Sequence, residues 1–295
     1  MQSVGIFEAI VLGLVQGITE YLPISSTAHL RVVPALLGWG DPGTAYTAVI
    51  QLGSLFAVVW YFWKDLVQIA TGTWRGLRTG DQKSREVRLF WCLILGTLPI
   101  VVVGLALKST LEAPGSPLRA LTVIATSSIV MALLLWVAEK RGSRARSTEN
   151  IRVIDGILIG FAQALALIPG VSRSGSTLTA ALFLGFQRAE GARFSFLLGI
   201  PAIFLSGVLE LRELVTLNFG TTELWSLIVG LISSTIFSYL AIAWLLKFLQ
   251  TQSTVVFVIY RLIFAATIFT LLALGLVQNI EPLNAGLAFV AGHPL

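Results

Sequence analysis

Residues 4–37 read VGIFEAIVLGLVQGITEYLPISSTAHLRVVPALL, an apolar stretch interrupted about halfway by Glu20, Pro23, Ser25, Ser26, Thr27 and His29. A helix needs about 20 apolar residues to cross a bilayer, and neither arm of this stretch supplies them. Pro23 removes a backbone donor and ends the first arm. The pattern therefore predicts a re-entrant helical hairpin, with its polar tip buried in protein or facing a wet cavity, because lipid cannot satisfy open backbone groups. Residues 153–186, VIDGILIGFAQALALIPGVSRSGSTLTAALFLGF, break in the same way at Pro169. The two stretches share a weak repeat: Gly13-Leu-Val-Gln16 followed by Leu22-Pro-Ile-Ser-Ser26 resembles Gly160-Phe-Ala-Gln163 followed by Ile168-Pro-Gly-Val-Ser172.

Outward from the hairpins, six apolar runs are long enough to span, near 45–63, 89–107, 118–138, 192–210, 224–246 and 255–277. Trp60, Trp63, Trp91 and Trp136 fall near their ends, as interfacial anchors do. The 295 residues are 56% hydrophobic and 12% charged with mean hydropathy +0.85, which excludes a water-soluble domain. The net charge of +5 is no sign of nucleic-acid binding, since the basic residues crowd into two short loops. One carries Lys64, Arg75, Arg78, Lys83, Arg85 and Arg88, the other Lys140, Arg141, Arg144, Arg146 and Arg152, and both are expected on the cytoplasmic side. Both termini then lie outside, and no cleaved leader is expected, because no Lys or Arg precedes Arg31 and Glu8 interrupts the first apolar run.

The expected fold is an all-α integral membrane protein, one domain over 1–295, with six transmembrane helices and two re-entrant hairpins. Each hairpin with its three following spans makes a unit, 1–140 and 150–280. Three spans is an odd number, so the second unit is inverted relative to the first, and sites in such repeats form where the broken helices meet.

The first tip places Glu20, Ser25, Ser26, Thr27 and His29 within ten residues, and ionisable groups at membrane depth are costly enough to point to function. The second reads Pro169-Gly-Val-Ser172-Arg173-Ser174-Gly-Ser176-Thr177 and opens a helix. Helix-start N–H groups, hydroxyl donors and a guanidinium fork together outline a phosphate site. Phosphoryl transfer needs a nucleophile, charge neutralisation and proton handling. Ser26 or His29 is the candidate nucleophile, and His29 is equally a candidate base. Arg173, with Ser172, Ser174, Thr177, Ser25, Thr27 and Gln16, is expected to hold phosphates, and Glu20, a further catalytic candidate, to ligate a divalent ion.

Other features read as support. Gly13/Gly17 and Gly156/Gly160 are helix-packing faces, Gln163 is a hydrogen bonder behind the second tip, Gln51 lines the same cavity, and Arg261 snorkels to an interface. His293 lies in a polar tail, and the single Cys92 allows neither an internal disulfide nor a cysteine-rich zinc site.

At the tips the sequence resembles the bacitracin-resistance type of undecaprenyl-diphosphate phosphatase. That family's motif of Glu or Gln, three residues, then Glu is met by Gln16 and Glu20. Its Pro-x-Ser-Ser-Thr-x-His stretch is met by Pro23, Ser25, Ser26, Thr27 and His29. Its Pro-Gly-x-Ser-Arg-Ser-Gly-x-Thr signature is met by Pro169, Gly170, Ser172, Arg173, Ser174, Gly175 and Thr177. The resemblance implies a hydrolase of polyprenyl diphosphate that recycles the lipid carrier of peptidoglycan synthesis and confers bacitracin resistance. It also implies a Mg2+ or Ca2+ cofactor and a site in the bacterial inner membrane open to the periplasm. Gln16 stands at a position where the family also admits Glu, and an amide ligates metal less strongly than a carboxylate. The alternative reading is a lipid-phosphate transporter or flippase built on the same inverted repeat. Nothing in the sequence decides between a monomer and a homodimer.

Overall fold

A computed structural model describes residues 4–39, 42–112, 116–214 and 221–279; the tail carrying His293 lies outside them. The first hairpin is α1 (Ile6–Tyr21) and α2 (Ser26–Leu37), joined across Pro23. The helices α3 (Gly43–Tyr61), α4 (Trp63–Thr79), α5 (Arg85–Glu112) and α6 (Leu121–Arg141) follow. The second hairpin is α7 (Val153–Ala164) and α8 (Arg173–Phe183), followed by α9 (Arg188–Leu214), α10 (Thr221–Thr251) and α11 (Val255–Ala273). Every helix among the described residues is accounted for by these and three short 3-10 turns.

Five helices are long and apolar enough to cross a membrane, or six if α3 and α4 count as one broken span. The sequence places a span at 45–63 and a loop after it. The structure continues that loop as helix α4, bent 67° from α3. The physical reason is amphipathicity: Ile69, Thr73 and Gly76 recur at helical spacing and are buried against the start of α5, where the Thr73 hydroxyl donates to the Glu86 carbonyl at 3.2 Å. α5, α9 and α10 likewise run beyond their apolar segments, because polar flanks continue a helix without cost once they reach the interface.

Packing pairs the two units reciprocally. α1 lies along α10 and α7 along α5, while α3 meets α9 and α6 meets α11. The approach of α1 to α10 depends on Gly13 and Gly17, where an added Cβ would strike Gly230, Ser233 and Ser234. Gly156 and Gly160 do the same against Cys92 and Gly96 of α5. Both small-residue pairs are thus packing faces, as their spacing predicts. The main core lies where the hairpins meet the long helices and includes Tyr21, Phe62, Phe196, Leu198 and Ile242, with Tyr21 edge-on to Phe196 at 5.0 Å. At the basic end, ion pairs of Glu139 with Arg188, Asp155 with Arg146 and Asp65 with Arg193 tie helix ends together.

Candidate functional site

The two tips meet. Each breaks at its proline, and each restarts its helix after a serine in an unusual left-handed conformation, Ser25 at φ 76° and Ser172 at φ 72°. Such backbone costs about 1–3 kcal/mol for a non-glycine residue and persists only where surroundings hold it. Ser172 caps α8 by accepting the Gly175 N–H at 3.1 Å. Ser174 donates across the junction to the Glu20 and Leu22 carbonyls, at 3.1 and 3.0 Å, so the second tip is pinned to the backbone of the first.

Glu20 is the hub. It is almost fully buried, and its carboxylate accepts hydrogen bonds from Ser26 Oγ at 2.7 Å, Gln16 Nε2 at 3.0 Å and Arg173 Nη2 at 3.1 Å. Gln16 is braced in turn by Ser54 of α3 at 3.4 Å. The Arg173 Nε and Nη1 atoms are buried with no hydrogen-bond partner among the described residues. The guanidinium lies over Gly199 of α9, where any Cβ would collide with it. An arginine with unpaired donors beside a carboxylate and a hydroxyl is equipped to receive phosphate oxygens.

Glu20, Ser25, Ser26, Thr27, Ser172 and Arg173 line one cavity of about 530 Å³, as does Gln51. Beyond this polar end the walls are apolar, made by Ile100, Val101 and Leu105 of α5 and by Ala202, Leu205 and Leu209 of α9. These residues lie well along helices that start at Arg85 and Arg188, so the apolar part runs away from the basic loops. Ser174 and Thr177 face the helix junction instead. Thr177 donates to the Arg173 carbonyl at 2.7 Å and meets the Ser195 hydroxyl, so it stiffens the start of α8.

The structure does not bring His29 to Ser26. Its Nδ1 faces the Ser25 carbonyl at 2.7 Å, its Nε2 faces the Tyr260 hydroxyl at 2.6 Å, and the ring stacks on Phe264 at 4.3 Å. Three residues along α2 from Ser26, it points to α11 while Ser26 points to Glu20. Gln163 also departs from expectation: it is fully buried, and neither end of its amide has a hydrogen-bond partner among the described residues.

Arg261 corrects the reading as a snorkelling side chain, being only 1% exposed. Its Nη1 donates to the carbonyls of Pro23 at 3.0 Å and Val171 at 3.2 Å, its Nη2 to Gly170 at 2.6 Å, and its Nε to Ser128 at 3.2 Å. One guanidinium thus staples the backbones of both tips from behind the cavity. Gly170, at φ 91°, sits so close to Ile124 and Ser127 of α6 that a side chain would not fit. The only sequence signal for Arg261 was a charge a few residues inside an apolar run.

No group of three or more His, Cys, Asp or Glu suited to a metal occurs among the described residues. Glu20 is the one carboxylate among the described residues that line the cavity. The oxygen donors present therefore fit a hard cation in one way, with Glu20 and hydroxyls on the protein side and phosphate oxygens completing the shell.

A family model described as bacitracin resistance protein BacA matches residues 9–267. The chain is 73% identical over 286 residues to an undecaprenyl-diphosphatase of Gloeobacter violaceus, covering 97% of this chain and 98% of that one. It is 56% identical over 280 residues to the protein of that name from Trichormus variabilis, covering 95% and 88%. With that of a Synechocystis species it shares 57% over 274 residues, covering 92% and 84%.

Proposed function

The chain belongs to the bacitracin resistance protein BacA family, and from that premise we propose how its two tips hydrolyse undecaprenyl diphosphate. The products are undecaprenyl phosphate and inorganic phosphate, and the reaction returns the lipid carrier to cell-envelope synthesis. The observation that carries the mechanism is the convergence of Ser26 and Arg173 on the two oxygens of Glu20.

The diphosphate enters the polar end of the cavity with its prenyl chain along the apolar walls of α5 and α9. Arg173 and the hydroxyls of Ser25, Thr27 and Ser172 neutralise and orient the non-bridging oxygens. Ser26 Oγ attacks the terminal phosphorus as its proton passes to Glu20 Oε2, 2.7 Å away, and the anhydride P–O bond breaks to release undecaprenyl phosphate. Water then attacks the phosphoserine. Glu20 returns the proton it took to the departing Ser26 oxygen and becomes a carboxylate again, while the oxygen and both protons of the attacking water leave with the inorganic phosphate. His29 acts here as a positioning residue: bound to the Ser25 carbonyl, it holds the strained serine that aims Ser26. Glu20, with Gln16 beside it, would hold a divalent cation, Mg2+ or Ca2+, which supplies further neutralisation of the diphosphate charge.

The cavity runs away from the loops rich in Lys and Arg. In a bacterial inner membrane with those loops cytoplasmic, its apolar end opens on the periplasmic half. That placement also makes the units 1–140 and 150–280 an inverted pair that meets at the tips. A single chain supplies every residue in this scheme, so catalysis needs no second copy, although a homodimer is compatible with it.

Phosphate release from undecaprenyl diphosphate by the purified protein in detergent tests the scheme, with Mg2+ or Ca2+, with chelator, and with Ser26→Ala. Release that requires both the cation and Ser26 is expected. Full activity in Ser26→Ala would remove the serine route, and absence of release by folded wild type would move the reading to lipid-phosphate transport.

A further inference from the structure

α4 is the element that the chemistry leaves unused. Its residues Trp63, Val67, Ala70, Trp74 and Leu77 recur at steps of three and four, and all five are exposed; Trp74 is 67% exposed. They form one apolar stripe on a helix whose opposite flank is held to α5 by Ile69, Thr73 and Gly76. Lys64, Arg75 and Arg78 border the stripe on its other side, each roughly 60–120° round the helix from its centre at about 100° per residue. None of these three side chains has an ion-pair or hydrogen-bond partner among the described residues, whereas Arg85, Arg146, Arg188 and Arg193 at the same end are ion-paired. Trp74, Arg75 and Arg78, with Ala70, Thr71 and Thr79, share one open face of α4.

We propose that α4 lies in the plane of the membrane interface and binds anionic phospholipid, its stripe in the acyl boundary and Arg75 and Arg78 on the headgroup phosphate. The stripe continues the lipid-facing surface of α3, where Phe56 and Trp60 are exposed, and of α5, where Trp91 and Ile94 are exposed. The 67° bend at Phe62 turns the chain from crossing to lying along that surface. Trp63 and Trp74 suit the headgroup level, where an indole buries its ring and keeps its N–H wet. Unpaired arginines at the edge of an apolar stripe are the charge pattern of helices that bind anionic lipid.

The test uses the full-length protein in nanodiscs of phosphatidylcholine mixed with phosphatidylglycerol, with the lipid retained on transfer to detergent read by native mass spectrometry. The wild type should retain phosphatidylglycerol preferentially. Arg75→Gln/Arg78→Gln should lose that preference by about 30-fold, two charges at about 1 kcal/mol each. Millimolar inorganic phosphate should not displace the lipid, and phosphate release in detergent should be unchanged in the variant. A spin label on Trp74→Cys, selective because Cys92 is buried, should collide with oxygen more than with an aqueous nickel chelate. Equal retention in variant and wild type, or displacement by inorganic phosphate, would overturn the lipid site. A label that meets the nickel chelate more would make the stripe a docking face for a protein.

Discussion

Arg261→Lys isolates the staple behind the site. The native guanidinium uses three nitrogens to reach four carbonyls, of Pro23, Gly170, Val171 and Ser128. A lysine ammonium keeps the charge but radiates its donors from one point, and from there it can serve two of these carbonyls. Two bonds from a charged donor are then lost, at about 1.5–3 kcal/mol each. The ceiling is about 3–6 kcal/mol, part of which water from the cavity recovers. The lost bonds are the ones that fix the tips relative to each other, so the damage appears as misplacement. A shift of about 1 Å between Ser26 on the first tip and Arg173 on the second costs about 100-fold in rate. We expect kcat for phosphate release to fall by about that factor. KM should change much less, because the prenyl chain still binds along α5 and α9. Unfolding is followed with a thiol-reactive fluorophore on Cys92, which is buried in the native fold and becomes reactive as it opens. A folded Arg261→Lys protein with wild-type kcat would refute the staple as a positioning device.

Glu20→Gln keeps the shape of the hub but removes its charge and its basicity, so kcat should drop by about 10²–10⁴, and the loss of the buried counter-charge of Arg173 should lower the melting curve as well; activity within tenfold of wild type would exclude Glu20 as the base. Ala202→Trp fills the apolar wall next to the polar end of the cavity. It should raise KM for undecaprenyl diphosphate well above any change for a short, water-soluble prenyl diphosphate, and equal effects on both would place the chain elsewhere. Gly160→Val drives a side chain into the Gly96 backbone of α5. It should destabilise the protein by more than the ~1–3 kcal/mol typical of overpacking, read as early exposure of Cys92, and a native melting curve would show that α7 does not need this approach.

Both hairpins were legible from residues 4–37 and 153–186 because proline and polar residues inside apolar runs have few physical explanations. Their meeting was legible too, in the repeat that carries Ser25 and Ser172 to matching positions. The partner of Ser26 was not. His29 is the nearer ionisable residue along α2 and only about 60° round the helix from Ser26, yet the packing of α11 claims the ring for Tyr260 and Phe264. α4 was hidden for a related reason: its charges read as a loop, and its helical stripe gains meaning only once Thr73 and Gly76 are seen against α5. Gln163 shows the reverse, since a residue matched to Gln16 in sequence lacks the neighbour that Ser54 provides for Gln16.

By itself the sequence determined the solvent, the helical content, the broken hairpins and the residue types at their tips. These follow from the cost of burying polar groups in lipid and from the geometry of proline, both local properties of the chain. Only the tertiary structure decided that Glu20 receives Ser26 and Arg173, that Arg261 holds both tips, and that His29 serves the backbone. Those contacts, apart from the local ones that join Ser26 to Glu20 and His29 to the Ser25 carbonyl, link residues 90 to more than 200 positions apart. They depend on how rigid helices rotate against one another, which no local pattern encodes.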